Sequence, residues 1–254
     1  MEIRPPFGYR EIVPLARGHR VILRQDGTLP EAFREASALP LSFAEFAPAA
    51  CHYPIAFVSG DSGKNFVAMA VLGIENRQNL FVGADAKWDA ASYVPAYVRR
   101  HPFCMSRVAV NGAEQAERIV CVEKSALAET GEALFDAKGE PLPAWAQRQK
   151  FLVEYETDLA RTEEMTRALA ALEIFEPFTM QAVPRGGAPL ALTGLYRVSE
   201  QKLHDLASET LKALAQSGRL ARVYAHLLSL HNFARLLDRR TARVGQARTG
   251  ALTA

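Results

Sequence analysis

YPIAFVSGDSGKNFVAMAVLGIENRQNLFVGA, residues 53–84, holds three β-branched and aromatic runs separated by Gly, Asp and Asn clusters. Runs of that composition bounded by turn residues read as strands, and the segments Gly60 to Lys64 and Glu75 to Gln78 are short enough for hairpins. The stretch predicts consecutive antiparallel strands at 53–59, 65–74 and 79–84. Upstream, Ile12, Val13, Leu15, Val21, Ile22 and Leu23 predict one or two short strands interrupted at Arg17 and Gly18. Ser42 precedes Glu45 by three residues, a capping box that opens a short helix ending near Pro48. Further short strands are expected at 118–123 and around 134–135, the second running into the turn Asp136, Ala137, Lys138, Gly139.

The period changes at Pro143, after which Leu152, Tyr155 and Leu159 recur at helical spacing. Thr162 is placed to cap a second helix, with Glu163 and Glu164 in its first turn and Pro177 closing it. A β-type interlude follows at 178–183 and 190–198, around a loop at 184–187. Ser199 then caps a helix with the apolar face Leu203, Leu206, Leu211 and Leu214, stopped by Gly218, and a last helix presents Leu220 to Leu237. Strands early and helices late give an α+β fold, a mainly antiparallel sheet of the N-terminal half packed with helices of the C-terminal half. Residues 1–238 form a single domain, with halves at 1–142 and 143–238 as an alternative division. Residues 239–254 lack apolar periodicity and read as a disordered basic tail.

With 254 residues, 49% hydrophobic and 23% charged, the chain has the composition of a globular protein with a sizeable core. Its net charge of +2 comes from the end: four arginines against Asp238 give +3 there, leaving the body near −1. A nucleic-acid partner is not expected of such a body. Charges and prolines at Glu2, Arg4, Pro5, Pro6 and Arg10 interrupt any secretory signal, and no apolar run is long enough to cross a bilayer, so a cytoplasmic protein without membrane insertion is expected. Cys51, Cys104 and Cys121, odd in number and scattered, suit neither a disulfide framework nor a metal pair.

No nucleophile elbow, HExxH, GxGxxG or EF-hand loop is present, and no catalytic residue, cofactor or metal site is expected. Gly60 to Lys64 ends like a phosphate loop, but Val58 and Asn65 stand where the first glycine and the Ser/Thr belong, so a hairpin turn is expected. His226 and His231 are rotated by about 140° on one helix and diverge, and Cys51 and His52, adjacent in sequence, point apart. The polar cluster that remains lies in NLFVGADAKWDAASYVPAYVRRHPF, residues 79–103: Asp85, Asp89, Arg99, Arg100 and His101 among Phe81, Trp88, Tyr93 and Tyr97. Two readings compete for it. Arg99 and Arg100 form an anion clamp for a carboxylate or phosphate, or one arginine forks to Asp85 or Asp89 and the aromatics stack around it to fix an irregular loop.

PLSFAEF (40–46), YPIAFV (53–58), the 79–103 block, GEALFDAKGEP (131–141), GLYRVSEQKL (194–203) and GRLARVYAHLLSL (218–230) together resemble the SapC family of bacterial proteins, in order over nearly the whole chain. The family's name, from surface-layer protein transport, implies a role in surface-protein export or assembly. The common placement of relatives beside TonB-dependent receptors and flavin-dependent halogenases implies an accessory to uptake or to peptide or small-molecule modification. No catalytic residues come with the resemblance. It marks Asp85, Trp88, Asp89, Tyr93, Tyr97, Arg99 and Arg100 as candidate ligand-binding residues by position. Glu123 stands where an aspartate is usual, and Gly83 and Ala86 where some relatives are acidic or glycine, which weighs against an acidic metal cluster. The leading expectation is a non-catalytic cytoplasmic accessory or binding protein for an unknown protein, peptide or small-molecule ligand. The alternatives are an enzyme or enzyme subunit acting on an anionic substrate held at the Arg99/Arg100 corner, and a surface-layer component. The two apolar-faced C-terminal helices allow a homodimer.

Overall fold

The computed structural model describes residues 3–61, 63–110, 113–182 and 189–252. In chain order it holds β1 (Ile12–Pro14), β2 (Arg20–Val21), α1 (Glu31–Arg34), β3 (Ala38–Pro40) and a 3-10 turn leading into α2 (Phe46–Ala50). β4 (Ile55–Val58), β5 (Val67–Val71), α3 (Ala96–Arg99), β6 (Phe103–Val110), β7 (Ala113–Glu123) and β8 (Glu132–Ala133) follow. The remainder is α4 (Pro143–Ala171), β9 (Phe175–Ala182), β10 (Leu190–Val198), α5 (Glu200–His204), α6 (Ser208–Gln216), α7 (Arg219–Ser229) and α8 (Asn232–Leu252). Among the described residues no helix is long and apolar enough to cross a membrane.

The fold is α+β. A five-stranded sheet runs β3-β5-β4-β10-β9 and a three-stranded one β1-β7-β6, with β2 and β8 as a small pair, all antiparallel. The β4–β5 hairpin is the one expected, and its loop is held by Asp61. That carboxylate accepts the amides of Lys64 and Asn65 (3.1 and 2.8 Å) and the Ser59 hydroxyl (2.8 Å), so those amides are not free to cradle a phosphate. The main core gathers Phe33, Phe46, Tyr53, Phe57 and Met165, all fully buried. A second cluster of Val21, Phe103, Val122, Leu134, Trp145 and Leu152 fills the space between α4 and the three-stranded sheet.

Six expectations are corrected. Residues 79–84 are not a third strand: the Asn79 side chain donates to the Phe33 carbonyl (2.8 Å) and accepts the Phe81 amide (2.9 Å), so the chain coils into turns. Residues 103–110, read as part of no strand, form β6, the edge strand that pairs with the central β7. α4 is one helix of 29 residues, because the Thr162 hydroxyl bonds the Asp158 carbonyl (2.8 Å) within it instead of starting a new one. It stops before Glu173, at φ +54°, and Pro177 sits instead in the edge strand β9, where a missing N–H is tolerated. The two expected C-terminal helices are four, and the residues from Arg239, expected to be disordered, continue α8 to Leu252. Their arginines explain this, since they bind the body of the protein: Arg240 pairs with Glu75, and Arg243 donates to the carbonyls of Asn79 (2.7 Å) and Val82 (2.6 Å). The expected loop at 184–187 lies outside the described residues.

The break between α7 and α8 serves the sheet. β4 and β10 pair only at Val58–Leu195 and Phe57–Tyr196; the same register would set Ile55 opposite Val198, but there α7 intervenes. His226 Nδ1 contacts the Ile55 carbonyl (2.8 Å) while its Nε2 accepts the Val198 amide (3.1 Å), and Ser229 Oγ accepts the Ile55 amide (2.8 Å). Asn232, opening α8, donates to the carbonyls of Ala50 (2.7 Å) and Tyr53 (3.1 Å).

Candidate functional site

The 79–103 block is pinned from two sides. From inside, the hydroxyl of Tyr53 accepts the Trp88 indole N–H (3.0 Å) and donates to the Tyr93 carbonyl. Phe81 stacks against Trp88 and meets Tyr53 edge-on at 4.5 Å. From outside, Arg239 of α8 lies 4.3 Å over the Phe81 ring and pairs with Asp89 at 2.7 Å. The hydrogen bond from Arg239 is the first cause holding the Asp89 carboxyl below its ordinary pKa. Asp85 is exposed and accepts the Lys87 amide (3.2 Å) within its own turn.

Glu45, 3% exposed, is the acid that organises the end of the block. One of its oxygens accepts the Ser42 amide (2.9 Å) and hydroxyl (2.8 Å); the other accepts the Ala96 amide (2.6 Å) and the Tyr93 hydroxyl (3.1 Å). The expected capping box therefore also anchors the start of α3. Burial first and then Glu45 push the Tyr93 hydroxyl up to about 12, so it stays a neutral donor.

The two arginines part company, and neither reading of them as one cluster with the acids holds. Arg100 points inward, 5% exposed, its guanidinium 4.0 Å from the Tyr97 ring, 5.3 Å from Tyr155 and 5.6 Å from Tyr9, with Glu156 of α4 at 3.7 Å. Arg118 shares that glutamate. Arg100 Nε and the Tyr155 hydroxyl have no hydrogen-bond partner, so ring faces and one carboxylate hold this charge. Tyr97 donates its hydroxyl to the Phe7 carbonyl (2.8 Å). Arg99 points outward. It lies 5.0 Å over Phe151 and donates to the Val94 carbonyl and the Tyr93 hydroxyl (both 3.1 Å), but it has no carboxylate partner among the described residues.

Arg99 faces a cleft of about 600 Å³. Arg24, from the segment after β2, and Arg148, from the start of α4, line it with Arg99, together with His101, Thr28 and Ser125. No Asp or Glu is among the described residues that line it, and the rest of the wall includes Ile22, Leu29, Trp88, Val94, Val98 and Pro102. His101 is tilted against Tyr9 and edge-on to Phe33, ring centroids 5.2 and 5.6 Å away. Burial, then the charges of Arg24 and Arg100, lower its pKa to about 4, so the imidazole is neutral. Such a surface can hold an anion by guanidinium forks and an apolar body by burial.

Of the seven residues singled out from sequence, Trp88 and Arg99 reach the cleft; Asp85, Asp89, Tyr93, Tyr97 and Arg100 build the scaffold around it. Sequence reasoning missed Arg24 and Arg148, which carry no local signal and meet Arg99 only through the fold. It also missed Glu45 and Glu156 as the acids that matter. Cys104 and Cys121 are buried cross-strand neighbours with free thiols, and burial raises them to about 12 and about 11, far from nucleophilic. Among the described residues no group of three His, Cys, Asp or Glu side chains is placed to hold a metal ion. Compared with known proteins, residues 18–236 match the family model SapC. No curated protein and no solved structure matches the chain.

Proposed function

The chain belongs to the SapC family, and we propose that it is a non-catalytic binding or accessory protein whose ligand is an organic anion seated in the cleft beside the 79–103 block. The observation that carries this reading is the convergence of Arg24, Arg99 and Arg148, none in an ion pair among the described residues, on a cleft whose described lining holds no carboxylate. Three guanidinium groups lining one cleft make it electropositive, with Asp26 beside Arg24 taken up by the amide and hydroxyl of Thr28, and an anion is favoured there. Of the roles the family name and its usual neighbours suggest, small-molecule handling fits a cleft of about 600 Å³ better than assembly of a surface layer. A cytoplasmic site of action belongs to the same proposal, and fractionation that finds the protein outside the cytosol would sink that part.

The test is a fluorescence titration with 1-anilinonaphthalene-8-sulfonate, a permanent anion with an apolar body, on the native chain and on R99Q/R148Q. The expected result is saturable one-to-one binding, weakened about tenfold or more in the variant at unchanged melting temperature. Equal binding by both proteins overturns the proposal.

A further inference from the structure

Apolar side chains form most of the cleft wall between its arginines, which come from three separate elements. A small inorganic anion would leave that wall in water. Phosphate sites of the usual kind converge backbone amides or several forks on one point. A second cavity of about 450 Å³ adjoins the cleft at His101, and the two share Arg24, Pro30, His101 and Ser125. His101 thus stands at the junction, and neither of its ring nitrogens has a hydrogen-bond partner among the described residues.

We propose that the ligand is an amphipathic organic acid, its apolar body along Trp88, Val94 and Val98, its acid group held by the arginines, with His101 as a proton-dependent further donor. This rests on the cleft being the ligand site. The cations acting on His101 are Arg24 and Arg100. On the second-cavity side, Glu31 pairs with Arg10 (3.6 Å), Glu35 with Arg77 (2.5 Å), and Glu123 accepts the amides of Arg10 and Glu11 (2.9 and 3.3 Å). These carboxylates are already engaged, and a bound acid group is the anion that changes the field at the ring. It favours the imidazolium, so binding takes up a proton and strengthens as pH falls from the ordinary histidine range toward about 4.

The experiment displaces 1-anilinonaphthalene-8-sulfonate with octanesulfonate, methanesulfonate and inorganic sulfate, at about pH 7.5 and about pH 5.5, where these probes stay fully ionised. Octanesulfonate is expected to compete at least ~10-fold better than methanesulfonate, and about threefold better at the lower pH. H101Q should keep the chain-length preference and lose the pH ratio. Calorimetry on the unsubstituted chain in buffers of different ionisation enthalpy counts the same proton, whether or not H101Q folds. Equal competition by the short and long sulfonates overturns the ligand class, and a pH ratio that survives in H101Q, or no proton uptake, overturns the role of His101. Failure of the fluorescent probe to bind, or its indifference to R99Q/R148Q, instead sinks the cleft as the ligand site.

Discussion

Replacing His226 by phenylalanine keeps a ring of similar volume beside Phe57, 4.9 Å away in the native core, and removes only the two polar contacts by which α7 bridges the splayed ends of β4 and β10. The Ile55 carbonyl and the Val198 amide are then buried without partners. At roughly 1–3 kcal/mol for each orphaned group, H226F should lose about 4 kcal/mol at neutral pH. The wild type carries a second signature. Burial holds the folded-state pKa of His226 at about 4, against an ordinary 6.5, and both ring nitrogens are already committed. The unfolded chain therefore takes the proton first. The stability contributed by the neutral ring is complete above about pH 6.5 and drains away as pH falls toward 4, amounting to about 2.5 kcal/mol by pH 4.5. Urea unfolding of both proteins at about pH 7.5 and 4.5 separates the two effects: the gap of about 4 kcal/mol should shrink to about 1.5. A gap below about 1 kcal/mol at neutral pH, or one that does not change with pH, would refute the bridge.

Arg100→Ala should cost about 3–5 kcal/mol, since Glu156 loses a buried partner and three tyrosine faces lose their cation, whereas Arg99→Ala should stay within about 0.5 kcal/mol; thermal melts of the pair compare them directly. Glu45→Ala strips the shared acceptor from Ser42, Tyr93 and Ala96, and a loss of 3 kcal/mol or more in urea unfolding is expected, roughly one unmet buried donor at a time. Arg239→Ala should destabilise by about 1–2 kcal/mol and alter the emission of Trp88, which stacks on the ring that Arg239 covers; unaltered emission would mean the contact is idle. A thiol reagent applied to the native protein should modify exposed Cys51 alone, with Cys104 and Cys121 reacting only after denaturation.

Where the decisive interactions are local, the sequence was legible. The β4–β5 hairpin rests on composition and on one aspartate inside its own turn, and the Ser42/Glu45 box spans three residues. Errors arose where a distant partner decides, or where a side chain has two local bonds to choose between. Residues 79–84 have strand-like side chains, but the Asn79 amide takes backbone groups from Phe33 and Phe81. β6 is a strand because β7 pairs with it, and Thr162 looks like a helix cap until its hydroxyl is seen turned back along the helix. In the candidate site the abundance of guanidinium and aromatic groups was visible, but not that adjacent Arg99 and Arg100 face opposite ways on the short helix α3. That follows from Glu156 and Phe151, both supplied by α4.

The clasp that α8 places on the 79–103 block has a consequence for the order in which the protein is made. Arg239 lies 150 residues beyond Asp89, and Arg243 lies 164 beyond Asn79. At roughly 5–20 residues per second, a ribosome delivers the clasp about 8–30 seconds after the block it closes. For that interval Phe81 lacks its covering guanidinium and the carbonyls of Asn79 and Val82 lack their donor, so the nascent chain carries an aromatic segment half-dressed. The growing chain thus leaves this segment open to aggregation and to chaperone capture, and that opening closes with the arginines of α8, which lie past residue 236, where the match to the family stops.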